Sequence, residues 1–179
     1  MLFESYVQQH EQVFREVSRD QIKEFIDGLR LLRASKGTLW VVGNGGSAAT
    51  ASHVVADFNK TILQFGKPSL KTFCISDMVP LSTALANDID FESAIAESLE
   101  MFASKKDGLL VLSVSGTSPN LLRALSRGGQ IGMKRFAIVG AGGKETASDL
   151  DFKIVVPSTD YQIVENIHLL LLHYFTKVI

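Results

Sequence analysis

The sequence predicts an α/β fold, a single doubly wound sheet of five parallel strands flanked by helices. Five short, continuous apolar runs alternate with segments whose apolar residues recur at helical spacing. Strands that are apolar throughout are typical of a parallel sheet, because helical crossovers bury both of its faces. No internal repeat, low-complexity tract or linker divides the chain, so we expect one domain.

Two helices open the chain and form a predicted N-terminal extension over residues 1–34. Apolar residues recur there every three or four positions, as on the buried face of an amphipathic helix. Ser18 and Gln21 have the spacing of a capping box, so the second helix is predicted to begin beside Ser18. Residues 35–179 are assigned to the α/β sandwich.

The five predicted strands follow in order. They are "TLWVV" at 38–42, "LKTFCIS" at 70–76, "GLLVLSVS" at 108–115, "RFAIVG" at 135–140 and "FKIVVPS" at 152–158. Each is followed by a loop or a helical segment, as the crossovers of a parallel sheet require.

Charge and composition exclude several classes of partner. The 179 residues include 18 Lys and Arg against 19 Asp and Glu, for a net charge of −1, and the basic residues are scattered. We therefore expect no nucleic acid and no membrane surface as a partner. The N-terminus lacks the basic start and apolar run of a signal peptide, and no window approaches the ~18 apolar residues of a membrane span. With Cys74 as its single cysteine, the chain is expected to be a soluble cytoplasmic protein.

Three predicted strands end in loops rich in glycine or hydroxyl groups. These loops are "GNGGS" at 43–47, "SVSGTSPN" at 113–120 and "PSTD" at 157–160. In a parallel sheet, ligands bind beyond the carboxyl ends of the strands, where helix N-termini offer free N–H groups to an anion. No GxxxxGK[ST] or GxGxxG motif is present. Hydroxyl and amide donors alone suit a sugar phosphate better than a nucleotide.

Two pairs of polar residues lie on predicted helices. His53 and Asp57 project from one face, as two metal ligands or two catalytic groups would, although a surface ion pair has the same spacing. Glu165 and His173 lie two turns apart on the C-terminal helix, about 80° around its axis. That helix is apolar on nearly every side, so the sheet or another subunit must cover it. His168 lies about 140° from His173 and is predicted to be a core or interface histidine.

Four segments together resemble the sugar isomerase (SIS) family, and within it the sedoheptulose-7-phosphate isomerases, also called phosphoheptose isomerases. The segments are "GNGGSAATASH", "LSVSGTSPN", "LANDIDF" and "VPSTDYQIVENIHLLLLH". The resemblance implies a flavodoxin-like SIS fold and a homotetramer with sites between subunits. It implies conversion of sedoheptulose 7-phosphate to D-glycero-D-manno-heptose 7-phosphate, the first step of nucleotide-activated heptose biosynthesis.

The resemblance also implies a metal site, most simply one Zn²⁺ per subunit, with another divalent metal as the alternative. Its ligands would be His53, Asp57, Glu165 and His173. Asp57 would be the catalytic base and His173 the catalytic acid of an isomerisation through an enediolate. Glutamate is usual in the family at Asp57 and glutamine at Glu165, so one carboxylate is shortened and another is added.

The substrate-binding residues implied by the resemblance come from the strand-end loops, the N-D pair and the C-terminal helix. They are Asn44, Gly45, Gly46, Ser47, Asp88, Ser113, Ser115, Ser118 and Glu165. A turn or a helix cap explains Asp88 equally well. Val114 stands where the family has a threonine, so the phosphate loop loses one hydroxyl and we expect somewhat weaker phosphate binding.

Two other functions exist within the same family. One is a non-catalytic tetrameric regulator that binds the bacterial replication initiator and lacks the acidic ligand and the last histidine, which this chain retains. The other is an SIS enzyme or sensor for a different phosphosugar, which the match in the leading and C-terminal helices disfavours.

The leading and C-terminal helices also carry more apolar surface than one sheet can cover, which predicts a homotetramer.

Overall fold

The computed structural model describes residues 2–179 and contains one parallel five-stranded sheet. The strands are β1 (Leu39–Gly43), β2 (Thr72–Cys74), β3 (Gly108–Ser113), β4 (Lys134–Gly140) and β5 (Phe152–Val156), in the order β2-β1-β3-β4-β5. Every pair of neighbours is parallel. The predicted α/β fold is confirmed, and each strand overlaps the apolar run that predicted it.

Seven α-helices and four short 3₁₀ helices surround this sheet in the described part of the chain. The α-helices are α1 (Phe3–Glu16), α2 (Arg19–Ala34), α3 (Gly45–Asn59), α4 (Val79–Asp88), α5 (Ala94–Phe102), α6 (Pro119–Ile131) and α7 (Tyr161–Val178). The 3₁₀ helices are Thr61–Phe65, Ile75–Asp77, Ala141–Gly143 and Thr146–Asp149. Among residues 2–179, no helix has the length and apolar character that a bilayer crossing would need.

The capping box at α2 forms only in part. Ser18 Oγ accepts a hydrogen bond from the Gln21 backbone N–H at 3.3 Å, as predicted. The Gln21 side chain turns away, and its Oε1 accepts a bond from the Val155 N–H at 3.0 Å. Because β5 is an edge strand, this bond satisfies a backbone donor that has no partner strand on that side.

Each strand contributes to two cores, one on either face of the sheet. In β3, Leu110 and Leu112 belong to the core beneath α2, α3 and α7, whereas Leu109 and Val111 belong to the core beneath α5 and α6. Side chains alternate between the faces of a sheet. Both faces are buried, so the strands must be apolar throughout, and this is why continuous runs identified them.

The chain covers most of α7 by itself. The sheet, α1 and α3 pack against this helix, while Leu170 and Tyr174 are 45% and 46% exposed. His168 is fully buried in the core, neither of its ring nitrogens has a hydrogen-bond partner among the described residues, and burial lowers its pKa to about 4. By contrast, α1 has no buried residue, and its Phe3 is 74% exposed.

The order of the sheet reverses between β1 and β3. From β1 the chain goes outward to β2 and then returns to the other side of β1 for β3, β4 and β5. The loops that follow β1 and β3 therefore lead to helices on opposite faces and leave a crevice between them at the carboxyl edge of the sheet. The predicted glycine and serine loops both lie at this crevice.

Candidate functional site

Three polar side chains meet where α3 packs against α7. The Nε2 atoms of His53 and His173 are 2.9 Å apart, and Asp57 Oδ2 lies 3.4 Å from each of them. His53 and Asp57 share one face of α3, as their spacing predicts. Their side chains are 50% and 11% exposed, and that of His173 is 48% exposed, so this His–Asp cluster opens outward on its histidine side.

The geometry of the His–Asp cluster fits a divalent metal ion. Tetrahedral ligands about 2.0–2.1 Å from a zinc ion lie ~3.3 Å from one another, close to the observed separations. Asp57 Oδ2 is buried with no hydrogen-bond partner among the described residues, which is costly unless a cation offsets it. Two imidazoles and one carboxylate with an open fourth position are a ligand set of catalytic zinc sites.

Glu165, the fourth predicted ligand, lies elsewhere in the structure. Its Oε1 is 3.5 Å from Ser47 Oγ, and a Cβ built at Gly46 would collide with its carboxylate. Because a helix advances ~12 Å between positions 165 and 173, this carboxylate and His173 lie at different levels of α7. The structure therefore brings together three of the four predicted ligands and places Glu165 beside the N-terminus of α3.

The predicted phosphate loop forms a small cleft with the start of α3. Ser113, Ser115 and Ser118 line this serine cleft of about 70 Å³ together with Ser47 and Glu165. Ser113 Oγ accepts a bond from the Gly116 N–H at 3.0 Å, and Ser115 Oγ accepts one from Thr117 at 3.3 Å. Each hydroxyl therefore still has its own hydrogen to donate to a ligand.

Two helices begin at the serine cleft without a side-chain cap. Asn44 precedes α3 and Ser118 precedes α6, and neither side chain caps its own helix. Uncapped N–H groups and the positive end of the helix dipole favour an anion at such positions. Val114 turns inward and packs in the core, and its backbone oxygen accepts a bond from Gly140.

Asn120 makes a side-chain contact at the site that the sequence did not predict. Its side chain pairs with that of Asn44 through two hydrogen bonds, of 2.9 and 2.8 Å, and only 2% of the residue is exposed. The sequence placed Asn120 at the end of the serine loop, but its partner lies on a different loop. Tyr161, at the start of α7, also lines the cleft and was not predicted.

Two other predicted substrate residues are exposed. Gly45 has a φ of 53° with open space around it, which suits glycine at the first position of α3. Asp88 is the last residue of α4, and its carboxylate accepts a bond from Asn87 at 2.9 Å. Asp88 does not line the serine cleft and is not part of the His–Asp cluster of its own chain.

Comparisons with known proteins agree with this architecture. The SIS domain family profile matches residues 3–140. Phosphoheptose isomerase 1 from Campylobacter jejuni subsp. jejuni is 31% identical over 180 residues, which cover 99% of this chain and 96% of that protein. A phosphoheptose isomerase from Thermodesulfovibrio yellowstonii is 29% identical over 177 residues, covering 99% of this chain and 87% of that protein.

A solved structure shows the same fold. The phosphoheptose isomerase from Francisella tularensis superposes with a TM-score of 0.88 at 24% identity, covering 97% of this chain and 93% of that one. The fold described above is thus shared with that protein. Together with the full-length sequence relatives, these matches show that the chain belongs to the SIS domain family and, within it, to the phosphoheptose isomerases.

Proposed function

We propose that this protein is an aldose–ketose isomerase that interconverts sedoheptulose 7-phosphate and D-glycero-D-manno-heptose 7-phosphate through an enediolate. Relatives that match nearly the whole chain are named phosphoheptose isomerases, which supports an isomerase. One structural observation supports the proposal above all. The serine cleft and the His–Asp cluster lie at two different heights along the packed helices α3 and α7.

The separation of these two levels fits the length of the substrate. Ser47 contacts Glu165 at the first level and His53 contacts His173 at the second, so α3 and α7 run parallel. The two levels are ~9 Å apart along α3 and ~12 Å apart along α7, given the rise of an α-helix. In an extended heptose 7-phosphate, about eight bonds separate phosphorus from C1, a span of roughly 9 Å. A phosphate in the serine cleft thus directs C1 and C2 toward the His–Asp cluster.

Phosphate binding is assigned to the serine cleft. The hydroxyls of Ser113, Ser115 and Ser118 donate to phosphate oxygens, and the N-termini of α3 and α6 add backbone donors. These groups carry no positive side-chain charge, so they suit a monophosphate that must enter and leave during each turnover. We propose that Asn44, Gly45, Gly46 and Ser47 contact the sugar.

Proton transfer is assigned to the His–Asp cluster. Asp57 moves the proton between C1 and C2, while His173 protonates and deprotonates the carbonyl oxygens. An imidazole suits the second role because one ring nitrogen can donate a proton while the other accepts one. A Zn²⁺ ion held by His53, Asp57 and His173 would polarise the carbonyl, and His173 Nε2 would then serve as a ligand instead of an acid.

We also propose a homotetramer with active sites between subunits. Three features support it: the exposed apolar residues of α1, the half-exposed histidines of the cluster, and a groove of about 610 Å³ between α1, α2 and α7. Asp88 lies outside the site of its own chain, so it would serve as a substrate residue at a neighbouring subunit's site.

Two further proposals concern the extent and location of the protein. The family match ends at residue 140, but β5 pairs with β4 and α7 packs on α3, so we assign residues 1–179 to one SIS domain. A cytoplasmic location is supported by the single free cysteine, Cys74.

Incubation with sedoheptulose 7-phosphate, followed by detection of the aldose, tests the function. We expect turnover by the parent, loss of at least a hundredfold in Asp57→Asn, and poor turnover of a five-carbon ketose phosphate too short to span both levels. If no aldose forms at any metal loading, the proposal that the protein is an isomerase is refuted. The alternative of a non-catalytic regulator would then remain, although the matched relatives do not favour it.

A further inference from the structure

The amide pair of Asn44 and Asn120 joins the two loops of the crevice. Asn44 Nδ2 donates to Asn120 Oδ1 at 2.9 Å, and Asn120 Nδ2 donates to Asn44 Oδ1 at 2.8 Å. Asn44 immediately precedes α3, and Asn120 lies in the first turn of α6. The pair therefore ties together the beginnings of the two helices whose N-termini face the serine cleft.

Asn44 makes this contact in place of a local one. Asparagine is among the best N-cap residues, because its side-chain oxygen can accept a bond from an N–H in the first helical turn. Here Asn44 occupies the N-cap position of α3, but its side chain makes no capping bond. The side chain bonds Asn120 instead, which leaves the first N–H groups of α3 free for a ligand.

The amide pair also stands between two cavities. Asn44 lines both the serine cleft and a second cavity of about 250 Å³, which is lined by Asn120, Ile75, Phe91 and Ile95 among others. Removing either amide would break both hydrogen bonds and release the starts of α3 and α6 from each other. The donors that converge on the serine cleft would then diverge.

We propose that Asn120 is a positioning residue for the phosphate of the substrate. It acts through Asn44 and fixes the N-terminus of α3 relative to the loop of Ser113, Ser115 and Ser118. The identity of the ligand in this inference rests on the proposed function. The role of Asn120 can be tested without turnover, by measuring the binding of inorganic phosphate.

The test compares Asn120→Ala, Asn44→Ala and the double variant with a matched control, Asp107→Ala. Asp107 accepts bonds of 2.8 Å from the Thr38 and Ser104 N–H groups and joins the segments that precede β1 and β3 at the opposite edge of the sheet. The readouts are the Kd of inorganic phosphate by calorimetry, KM and kcat for sedoheptulose 7-phosphate, and Tm.

We expect Asn120→Ala to raise the phosphate Kd and KM together, by roughly tenfold, and to change kcat less than about threefold. The double variant should be no worse than the more impaired single variant, because both changes break the same pair. Asp107→Ala should lower Tm and leave the phosphate Kd unchanged. If Asn120→Ala does not fold, Asn120→Asp keeps the volume and one acceptor, and it should still raise the Kd.

An unchanged phosphate Kd in the folded Asn120 variants would overturn the inference. Additive effects of the Asn44 and Asn120 changes on the Kd would also overturn it, and so would a parent protein that does not bind phosphate. If the parent binds phosphate but never forms aldose, the proposed function fails. In that case, the phosphate Kd values of the parent and the variants alone decide the inference on Asn120.

Discussion

The Nε2 atoms of His53 and His173 face each other at 2.9 Å across the packed helices α3 and α7. Two imidazole nitrogens this close can share one proton or bind one metal ion, but they cannot both be protonated without repulsion. The buried Oδ2 of Asp57 lies against both of them and adds a negative charge. The cluster is therefore built to hold a positive charge.

Removal of either histidine should abolish tight metal binding. We expect His53→Ala and His173→Ala to weaken zinc binding by at least ~100-fold, because each change leaves only two ligands. His10→Ala is the control, since His10 lies on α1 and contacts Tyr6 and Asn166. Zinc titration by calorimetry is the measurement, and parent-like binding by both cluster variants would contradict the assignment.

Glu165→Gln separates two roles for this carboxylate. If Glu165 is the fourth ligand, as the family resemblance implies, the change weakens zinc binding. The structure favours the other result, because Glu165 lies at Ser47 and over Gly46, beside the anion cleft. We expect unchanged zinc affinity and phosphate binding that is tighter by about 1 kcal/mol once the negative charge is gone.

A carboxylate far from the cleft provides the control for that experiment. Glu24→Gln makes the same change of charge at an exposed position of α2 and should alter neither affinity. Weaker zinc binding in Glu165→Gln alone would show that Glu165 reaches the metal. It would also justify testing whether Asp57→Glu on that background restores the affinity.

Loss of a hydroxyl from the serine cleft should raise KM. Ser115→Ala and Ser118→Ala each remove one donor to the phosphate, at a cost of about 1–3 kcal/mol if the group is buried in the complex. Ser35→Ala is the matched control, because its hydroxyl bonds Leu32 at the end of α2. Steady-state kinetics measure the effect, and parent-like KM values in both cleft variants would show that phosphate binds elsewhere.

His168 should make stability depend on pH below neutrality. Burial lowers its pKa in the folded protein to about 4, while the unfolded chain titrates near 6.5. Between these values the unfolded state binds more protons, so the free energy of unfolding rises with pH and falls on acidification. The free energy of unfolding can be measured with urea. On acidification within this window, we expect it to fall by up to ~1.4 kcal/mol more per pH unit in the parent than in His168→Leu. Parallel pH profiles for the two proteins would contradict this.

The exposed apolar residues of α1 should support self-association. We expect a homotetramer in analytical ultracentrifugation at micromolar concentration, and Phe3→Ser should shift it toward smaller species because Phe3 is 74% exposed in one chain. Lys36→Ser, at an exposed site after α2, is the control. A monomeric parent would refute the tetramer.

Local patterns in the sequence determined the strands, the cap and the pairing of His53 with Asp57. Buried parallel strands must be apolar on both faces, so five continuous runs identified β1 to β5. Ser18 capped α2 as predicted, because a capping bond reaches only three residues along the chain. Residues four apart on a helix share a face whatever surrounds them.

Only the tertiary structure decided which residues meet across elements. The register of α3 against α7 places His173, and not Glu165, beside Asp57, and places Glu165 beside Ser47. The order of the sheet brings Asn44 and Asn120 together, and the packing of α7 buries His168 without a hydrogen-bond partner among the described residues. Contacts between distant segments depend on how helices pack on a sheet, and the spacing of residues within one segment contains no information on that packing.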